Sequence, residues 1–154
     1  MKSIKIIIDG SNIAFACRNK RKQPKVENLN IIINHLEKLA QNYPIEFLIV
    51  VDASLRHRID SQPSLERLER VGKIIQSPCH YTADDFIIQF AQQFPEETII
   101  ISNDQFSEYN TENLTCCKFL IMFDKIIIKP NLKETCEVKI QDNSQERILN
   151  VCQV

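Results

Sequence analysis

Three apolar segments of this sequence end in an acidic residue, at the point where a buried strand would end. They are residues 4–8 before Asp9, residues 47–51 before Asp52, and residues 98–102 before Asn103 and Asp104. Strands of a parallel sheet point the same way, so their carboxyl ends meet at one edge, where open α/β sheets bind ligands. Carboxylates gathered there repel one another unless a cation lies between them. The pattern therefore indicates a divalent-metal site and phosphoryl-transfer or hydrolytic chemistry.

A fourth acidic pair, Asp84 and Asp85, opens a predicted helix just after Thr82. Asp84 lies about 100° from the buried Ala83 on the helical wheel, at the flank of the apolar face that packs on the sheet. Asp85 points nearly opposite, and the spacing Thr82-x-x-Asp85 resembles a capping box. Asp84 is therefore the first candidate of the pair, while Asp85 is either a helix cap or a further ligand.

Two further residues have a predicted role near these aspartates. Asn12 follows Asp9 where the chain turns back over the strand end, and its amide can hold a ligand, a water or a phosphate without adding charge. Glu108 lies four residues after Asp104 on a predicted short helix over residues 105–109, so both carboxylates can face one point. A solvated surface position fits Glu108 equally well. Asp9 and Asp52 also have a simpler interpretation as cap or turn residues.

Two basic segments follow Asp9 and Asp52 closely enough to lie near the same sheet edge. Their candidate polyanion-binding residues are Arg18, Lys20, Arg21, Lys22 and Lys25 in the first segment, and Arg56 and Arg58 in the second. Either segment can be an ordinary solvated loop. Together, on both sides of an acidic pocket, they indicate a polyanion whose phosphate is presented to metal. His57 and His80 could serve as acid or base, although a metal-activated water needs neither.

Composition limits the possible classes of protein. The 154 residues fit one domain, and 44% hydrophobic with 25% charged residues is typical of a soluble globular protein. The net charge of −1 means that any nucleic-acid binding uses a local patch. None of the six cysteines forms a CxxC pair. The neighbouring Cys79 and His80 have no second pair of cysteine or histidine residues at the spacing of a zinc site. We therefore expect reduced thiols and a cytoplasmic protein.

Alternating strand and helix signals predict an α/β fold, a three-layer α/β/α sandwich around a mainly parallel sheet. A domain over residues 1–130 is predicted to precede an irregular or loosely docked C-terminal tail over residues 131–154. Residues 119–123 and 126–128 flank a turn at Asp124 and predict an edge hairpin.

The acidic motifs resemble those of PIN-like ribonucleases of the NYN branch, and most of all the regnase-type nuclease domain that accompanies a CCCH zinc finger. The resemblance covers about residues 3–130; its motifs are Ile-Ile-Ile-Asp9-Gly-Ser-Asn12-Ile-Ala, Ala-Asp84-Asp85-Phe-Ile-Ile-Gln-Phe-Ala and Ile-Ile-Ser-Asn-Asp104-Gln-Phe. It implies a Mg²⁺- or Mn²⁺-dependent endoribonuclease acting on single-stranded or loop RNA.

The same resemblance assigns roles to individual residues. It implies metal-site roles for Asp9, Asp104 and one of Asp84 and Asp85, and it matches Asn12 to the asparagine of the first motif. Glu108 stands where members carry a further aspartate. No CCCH finger is present in this sequence. RNA selection therefore falls to this chain alone, to a homodimer or to a protein partner.

Other functions fit the sequence less well. Only two glycines, Gly10 and Gly72, are present, too few for a Rossmann phosphate-binding turn. An aspartyl phosphatase would carry a second aspartate two residues after Asp9, and this chain has Ser11 at that position. The main alternative is a catalytically weak PIN-like module that binds RNA or forms complexes. A structure-specific DNA nuclease is a third interpretation, for which the chain looks too short to carry a helical arch.

Overall fold

A six-stranded sheet forms the centre of the computed structural model, which describes residues 2–78 and 80–152. Its strands are β1 (Ile4–Asp9), β2 (Ile45–Val51), β3 (Ile74–Gln76), β4 (Thr98–Ile101), β5 (Thr115–Met122) and β6 (Lys125–Lys129). They lie in the order β3-β2-β1-β4-β5-β6. The first five strands are mutually parallel, and β6 pairs with β5 in the antiparallel sense. Cys79 lies outside the described residues.

Helices cover both faces of this sheet. They are α1 (Gly10–Phe15), α2 (Val26–Ala40), α3 (Gln62–Arg70), α4 (Ala83–Gln93) and α5 (Leu132–Cys152), with a 3₁₀ turn at Ala53–His57. One core cluster joins the sheet to α1, α2, α3 and the start of α5, whereas a second joins the opposite face to α4. The predicted α/β fold with a three-layer arrangement is confirmed.

The central strand β1 is buried on both faces. Ile6 and Ile8 pack in the cluster with α2, and Ile7 packs in the cluster with α4. Burying one such side chain contributes about 1.5–3 kcal/mol, so this strand stabilises both layers at once. Asp9, at its end, is thereby fixed to the most rigid part of the fold.

Of the two alternatives predicted for the C-terminal tail, the irregular one is wrong, because residues from Leu132 onward form helix α5. Its first turns pack on the domain, with Leu132 and Cys136 buried and the hydroxyl of Tyr43 donating to Glu137 across 2.6 Å. The later turns are exposed, so the usual apolar periodicity of a packed helix is weak there. The division of the chain near residue 130 stays a prediction.

The predicted short helix over residues 105–109 is also wrong, because that segment is a series of turns. The Oδ1 atom of Asp104 accepts a hydrogen bond from the backbone N–H of Phe106 across 2.9 Å, which closes a turn instead. Phe106 has φ of 48° and is buried in the α4 cluster. Five residues cannot nucleate a helix against that packing. The predicted edge hairpin is confirmed as β5 and β6.

Among the residues that the structure describes, no helix is long and apolar enough to cross a membrane.

Candidate active site

The connections on either side of β1 run over opposite faces of the sheet. The chain reaches β2 by way of α2, and it enters β4 from α4 on the other face. The two connections therefore part between β1 and β4, leaving a crevice beyond the carboxyl ends of these strands. Asp9 ends β1 and Ser102 follows β4, so both border this crevice.

Asp9 is the most buried carboxylate of the site, with 4% of its surface exposed. Its Oδ2 atom accepts a hydrogen bond from the hydroxyl of Ser102 at 2.8 Å, and its Oδ1 atom accepts one from the N–H of Asn12 at 3.2 Å. The pKa of Asp9 is raised to about 6, chiefly by burial and also by the charges of Asp84 and Asp52, while the hydrogen bonds from Ser102 and Asn12 oppose the rise. A cation at this position would remove the cost of ionising Asp9.

Asp84 stands in the first turn of α4 and is half-buried. Burial raises its pKa, followed by repulsion from four other carboxylates. These are, in order of effect, Asp104, Asp52, Asp85 and Glu108. The predicted acidic residues thus lie within electrostatic range of one another at one edge of the sheet.

Asp52 connects β2 to α4. Its backbone N–H donates to the hydroxyl of Ser11 at 2.9 Å, and its Oδ1 atom accepts from the backbone N–H of Ala83 at 3.0 Å. The carboxylate therefore satisfies a free N–H at the start of α4 and keeps Asp84 beside the strand ends. The sequence left open an inner carboxylate or a turn residue, and the structure gives Asp52 a defined positioning contact.

Asp104 is held mainly through its backbone. Its N–H donates to the Ser102 hydroxyl at 3.0 Å, and its carbonyl accepts from the Lys118 ammonium at 2.6 Å. The side chain is exposed, with Oδ1 engaged by Phe106. Glu108 is exposed on the following turn, without the helical spacing that was predicted to align it with Asp104. It still contributes to the raised pKa of Asp84.

Asp85 has a structural role at the start of α4. Thr82 and Asp85 form the complete capping box, with the N–H of Asp85 donating to the Thr82 hydroxyl at 3.1 Å and the N–H of Thr82 donating to Asp85 at 3.3 Å. The hydroxyl of Tyr109 donates to Asp85 as well. This hydrogen bond, with those from Thr82, lowers the pKa of Asp85. Its two oxygens are therefore committed to the helix end and the neighbouring loop.

Two asparagines hold the loop that carries Asp104. The Oδ1 atom of Asn12 accepts from the N–H of Asn103 at 2.8 Å. The Asn103 side chain in turn pairs with the backbone of Phe119 on β5, accepting from its N–H and donating to its carbonyl, both at 2.9 Å. Within the described residues the Asn12 side-chain N–H₂ makes no hydrogen bond, so it is available to a phosphate or water.

The donor set suits a hard divalent cation, since it consists of carboxylate oxygens with one amide. No three acidic, histidine or cysteine side chains in the described ranges 2–78 and 80–152 stand close enough to form a ready-made cage. Mg²⁺ is typically held by one or two protein carboxylates, several waters and substrate phosphates. The raised pKa values of Asp9 and Asp84 fit such an open site.

The two basic segments meet around the ring of Phe15. The guanidinium carbon of Arg58 lies 4.7 Å from the ring centroid and that of Arg18 lies 5.1 Å from it. Both arginines are exposed to solvent while stacked on the ring. Arg56, by contrast, pairs with Glu66 across 3.1 Å, which offsets its charge.

The lysine-rich turn of the first segment is closed by Asn19. The side chain of Asn19 accepts from the N–H groups of Arg21 and Gln23 at 2.9 and 3.0 Å. Lys20, Arg21 and Lys22 are therefore displayed on an ordered, exposed turn, with Lys22 at φ of 60°. The backbone of Lys25 bonds to the Ala14 carbonyl at 2.9 Å, which fixes the other end of the turn. His57 and His80 are both exposed.

Several residues of the site carry no sequence signal. Ser102 bridges Asp9 to the Asp104 backbone, Ser11 accepts from Asp52, and Lys118 donates to the Asp104 carbonyl. Serines are common in turns, so the residue type of Ser11 and Ser102 does not indicate a role. Only their positions just after the ends of β1 and β4 could have suggested one. Lys118 is remote in sequence and could not have been found from spacing.

This fold and this arrangement of carboxylates define a PIN-like α/β domain with an acidic crevice at the sheet edge. A family-wide profile described as "Zc3h12a-like Ribonuclease NYN domain" matches residues 2–149, so the chain belongs to this family. The predicted resemblance to the regnase-type domain of the NYN branch is thereby confirmed. The chain thus carries a ribonuclease NYN domain of this family. No match is found among curated protein sequences.

Solved structures with the same fold include nuclear protein-only RNase P 2 (PRORP2) of Arabidopsis thaliana. One PRORP2 structure is 14% identical, covers 80% of this chain and 29% of its own, and has a TM-score of 0.62. A second is 13% identical, covers 83% of this chain and 30% of its own, and also has a TM-score of 0.62. The chain therefore spans less than a third of the length of these proteins, and the likeness shows a shared fold.

Proposed function

We propose that this protein is a Mg²⁺- or Mn²⁺-dependent endoribonuclease that hydrolyses phosphodiester bonds in single-stranded or loop RNA. The observation that carries the proposal is the mutual repulsion at the crevice. Asp84 is disfavoured as an anion by Asp104 and Asp52, and Asp9 is buried beside them with a pKa of about 6. A divalent cation would relieve both costs, and membership in a ribonuclease family supports RNA as the substrate.

Asp9, Asp84 and Asp104 would hold the ion. When bound, it would supply charge stabilisation at the scissile phosphate and lower the pKa of a water. Glu108 is an outer candidate ligand, because it is exposed but still repels Asp84. Asp85 is the weaker candidate of the helix pair, since Thr82 and Tyr109 occupy its oxygens.

The chain's own residues would position the substrate. Asn12 points a free amide N–H₂ from the first turn after β1, where it can donate to a phosphate oxygen or to a water. Ser102 keeps the Asp9 carboxylate oriented and binds the backbone of the Asp104 loop. Lys118 on β5 also holds that loop, because its ammonium group donates to the backbone carbonyl of Asp104.

The basic residues would grip the RNA backbone on either side of the cleaved bond. Arg18, Lys20, Arg21, Lys22 and Lys25 come from the loop before α2, and Arg56 and Arg58 from the 3₁₀ turn and its end. Arg58 and Arg18 share one aromatic support at Phe15. An open groove of this kind favours unpaired strands over duplex. Free thiols at Cys117 and Cys136 suit a reducing cytoplasm.

A labelled-oligonucleotide assay tests the proposal. Single-stranded RNA and DNA of matched sequence are incubated with Mn²⁺, Mg²⁺ or chelator, using the wild type, Asp9→Asn and the control Asp142→Asn. Asp142 is an exposed residue of α5 that lies near Pro95 and Thr115, at the opposite ends of β4 and β5 from Asp104. We expect metal-dependent RNA cleavage, abolished by Asp9→Asn only. Cleavage that continues in chelator would refute the metal mechanism.

A second candidate function is an RNA-binding or complex-forming module with a weak active site. It is favoured by the spacing of the carboxylates, since no three candidate ligands among the described residues form a ready-made cage. RNA binding without cleavage in Mn²⁺ would establish this function instead. A homodimer or a protein partner that selects the RNA is compatible with either candidate, and light scattering of the purified chain would detect the dimer.

A further inference from the structure

The outward face of the β5–β6 hairpin is apolar and exposed. Cross-strand register pairs Leu120 with Ile127 and Met122 with Lys125 on this face. Leu120 is 55% exposed, Met122 49% and Ile127 44%, and Phe123 at the tip is 89% exposed. Inward neighbours such as Phe119 and Ile128 are buried, so the alternation is regular and the outer face is left without internal packing.

Lysines border this apolar face. Lys118 and Lys129 lie directly opposite each other in the ladder, and Lys125 lies opposite Met122. Like charges placed opposite each other in a sheet are destabilising. In the part of the chain that the structure describes, none of these three lysines forms a salt bridge. The face therefore offers positive charge around an apolar surface, which is the complement of an unpaired nucleic-acid strand.

Phe123 occupies a turn position whose backbone conformation disfavours a bulky side chain. It forms the two-residue hairpin turn with Asp124, and both residues have positive φ, 50° and 61°. Turns of this kind prefer Asn and Gly, and a bulky residue with positive φ is strained. An aromatic ring that is strained and almost fully exposed contributes little to folding, so its contribution lies in contacts outside the chain.

The hairpin begins at the candidate active site. β5 pairs with β4 only as far as Cys117 opposite Ile101, and the rest of β5 extends beyond the carboxyl edge of the sheet. Lys118, the next residue, donates to the backbone carbonyl of Asp104 at 2.6 Å. From there to the tip the strand rises about 17 Å, at roughly 3.3 Å per residue. A strand leaving the crevice can therefore continue directly onto this face.

We propose that the outer face of this hairpin binds the unpaired RNA segment that adjoins the cleavage site. This inference rests on the function proposed above. Phe123 stacks on one base, Leu120, Met122 and Ile127 contact its neighbours, and the flanking lysines meet the phosphates. Aromatic side chains on an exposed sheet face bind bases in this way in other RNA-binding domains, two or three bases at a time.

The test measures binding apart from cleavage. Full-length protein is titrated into fluorescently labelled single-stranded RNA in chelator, with Phe123→Asn compared with a control, Ile148→Ser/Leu149→Ser. The control removes exposed apolar groups from the far turns of α5. Because Asn suits the positive φ, Phe123→Asn keeps or raises thermal stability. We expect its RNA affinity to fall about tenfold, the scale of one stacked base, with the control unchanged.

A second variant tests the charge. Lys125→Ser is expected to lower the slope of log affinity against log salt by about 0.7, the value for one phosphate contact on a single strand. Unchanged RNA affinity for Phe123→Asn would overturn the inference. So would a wild-type dimer that Phe123→Asn converts to monomer with RNA binding intact, since the face would then bind a second copy.

The wild-type cleavage assay separates this inference from the proposed function. If the wild type cleaves RNA and Phe123→Asn binds RNA normally, the hairpin inference fails and the proposed function stands. If the wild type binds RNA without cleaving it, and Phe123→Asn weakens binding, the hairpin inference stands and the nuclease proposal fails. If the wild type neither binds nor cleaves RNA, both fail.

Discussion

The hydroxyl of Ser102 donates a hydrogen bond to the Oδ2 atom of Asp9 across 2.8 Å. The hydroxyl oxygen of Ser102 in turn accepts a hydrogen bond from the backbone N–H of Asp104 at 3.0 Å. One buried serine therefore joins the end of β1 to the loop after β4, and it relates the two aspartates that the family motifs single out. Without it, Asp9 would lose a hydrogen bond that opposes the rise in its pKa.

Ser102→Ala tests this bridge. The change leaves the Oδ2 atom of Asp9 and the backbone N–H of Asp104 each without a partner, so we expect a loss of about 1–3 kcal/mol in the free energy of unfolding and at least tenfold lower cleavage. The control Ser144→Ala removes a hydroxyl that bonds to Ile140 on the exposed part of α5. Urea unfolding and RNA cleavage measure both effects, and equal behaviour of the two variants would contradict the bridging role.

Asp9→Asn is expected to stabilise the metal-free protein while abolishing cleavage. The folded-state pKa of Asp9, about 6, lies above its unfolded value of 3.8, so its protonated form is favoured by folding. Its contribution is fully present below pH 3.8 and is lost as pH rises through 6. A pKa difference of about two units corresponds to roughly 3 kcal/mol in the free energy of unfolding. The neutral variant does not lose this stability at pH 7.5.

Urea unfolding in chelator at pH 5 and pH 7.5 checks the prediction for Asp9. The difference between variant and wild type is expected to be larger at pH 7.5, and added Mn²⁺ is expected to stabilise the wild type but not the variant. Asp142→Asn serves as the matched control, because Asp142 is exposed on α5 and contacts neither the crevice nor the hairpin. A variant less stable than the wild type at pH 7.5 in chelator would contradict the burial argument.

Gly10→Ala is expected to destabilise the fold. A Cβ atom on Gly10 would lie 2.6 Å from Ile49 Cγ2, 2.7 Å from Val51 Cγ1 and 2.9 Å from the Val50 carbonyl oxygen. Overpacking of this kind costs about 1–3 kcal/mol, and it displaces the turn that carries Asn12. The control is Gly72→Asn, at φ of 78° with nothing within 4 Å. Thermal unfolding measures the stability of both variants. Equal melting temperatures would contradict the close packing of Gly10 against β2.

Phe15→Leu is expected to weaken RNA binding without changing its salt dependence. The variant removes the ring on which Arg18 and Arg58 stack but keeps both charges. Two exposed cation–π contacts contribute about 0.5–1 kcal/mol each, so a loss of roughly fivefold in affinity is expected. Arg18→Ser, by comparison, removes a charge and lowers the salt slope by about 0.7. Salt titrations of RNA affinity distinguish them, and a changed slope for Phe15→Leu would contradict the positioning role.

Local sequence patterns predicted the parts of this structure that local forces determine. Central parallel strands are buried on both faces, so they are apolar along their whole length. This is why the apolar segments before Asp9 and Asp52 could be recognised as central strands. The spacing of Thr82 and Asp85 predicted a capping box that the structure contains, since both partners lie within one helical turn. The convergence of Asp9, Asp52 and Asp104 follows from strand direction, because each comes just after the carboxyl end of a parallel strand.

Contacts between distant segments were not predictable. Asn103 pairs with the backbone of Phe119, sixteen residues away, and no periodicity signals it. The turn at Phe106 replaces the predicted helix because tertiary burial in the α4 cluster outweighs local propensity. Helix α5 has a weak apolar pattern because only Leu132 and Cys136 are fully buried along it. The roles of the individual acidic residues stay predictions for the assays above.

The strand order also has a consequence for the nascent chain. β1 is synthesised first, yet one of its two neighbours, β4, begins only at Thr98. Until that residue has left the ribosome, one edge of the most apolar strand stays open and prone to pair with other chains. Ser102 and Asp104 follow β4 directly, so the same stretch of synthesis closes the open edge of β1 and adds the last aspartate of the crevice. An unfinished chain that lacks β4 therefore has no complete site for the proposed cleavage.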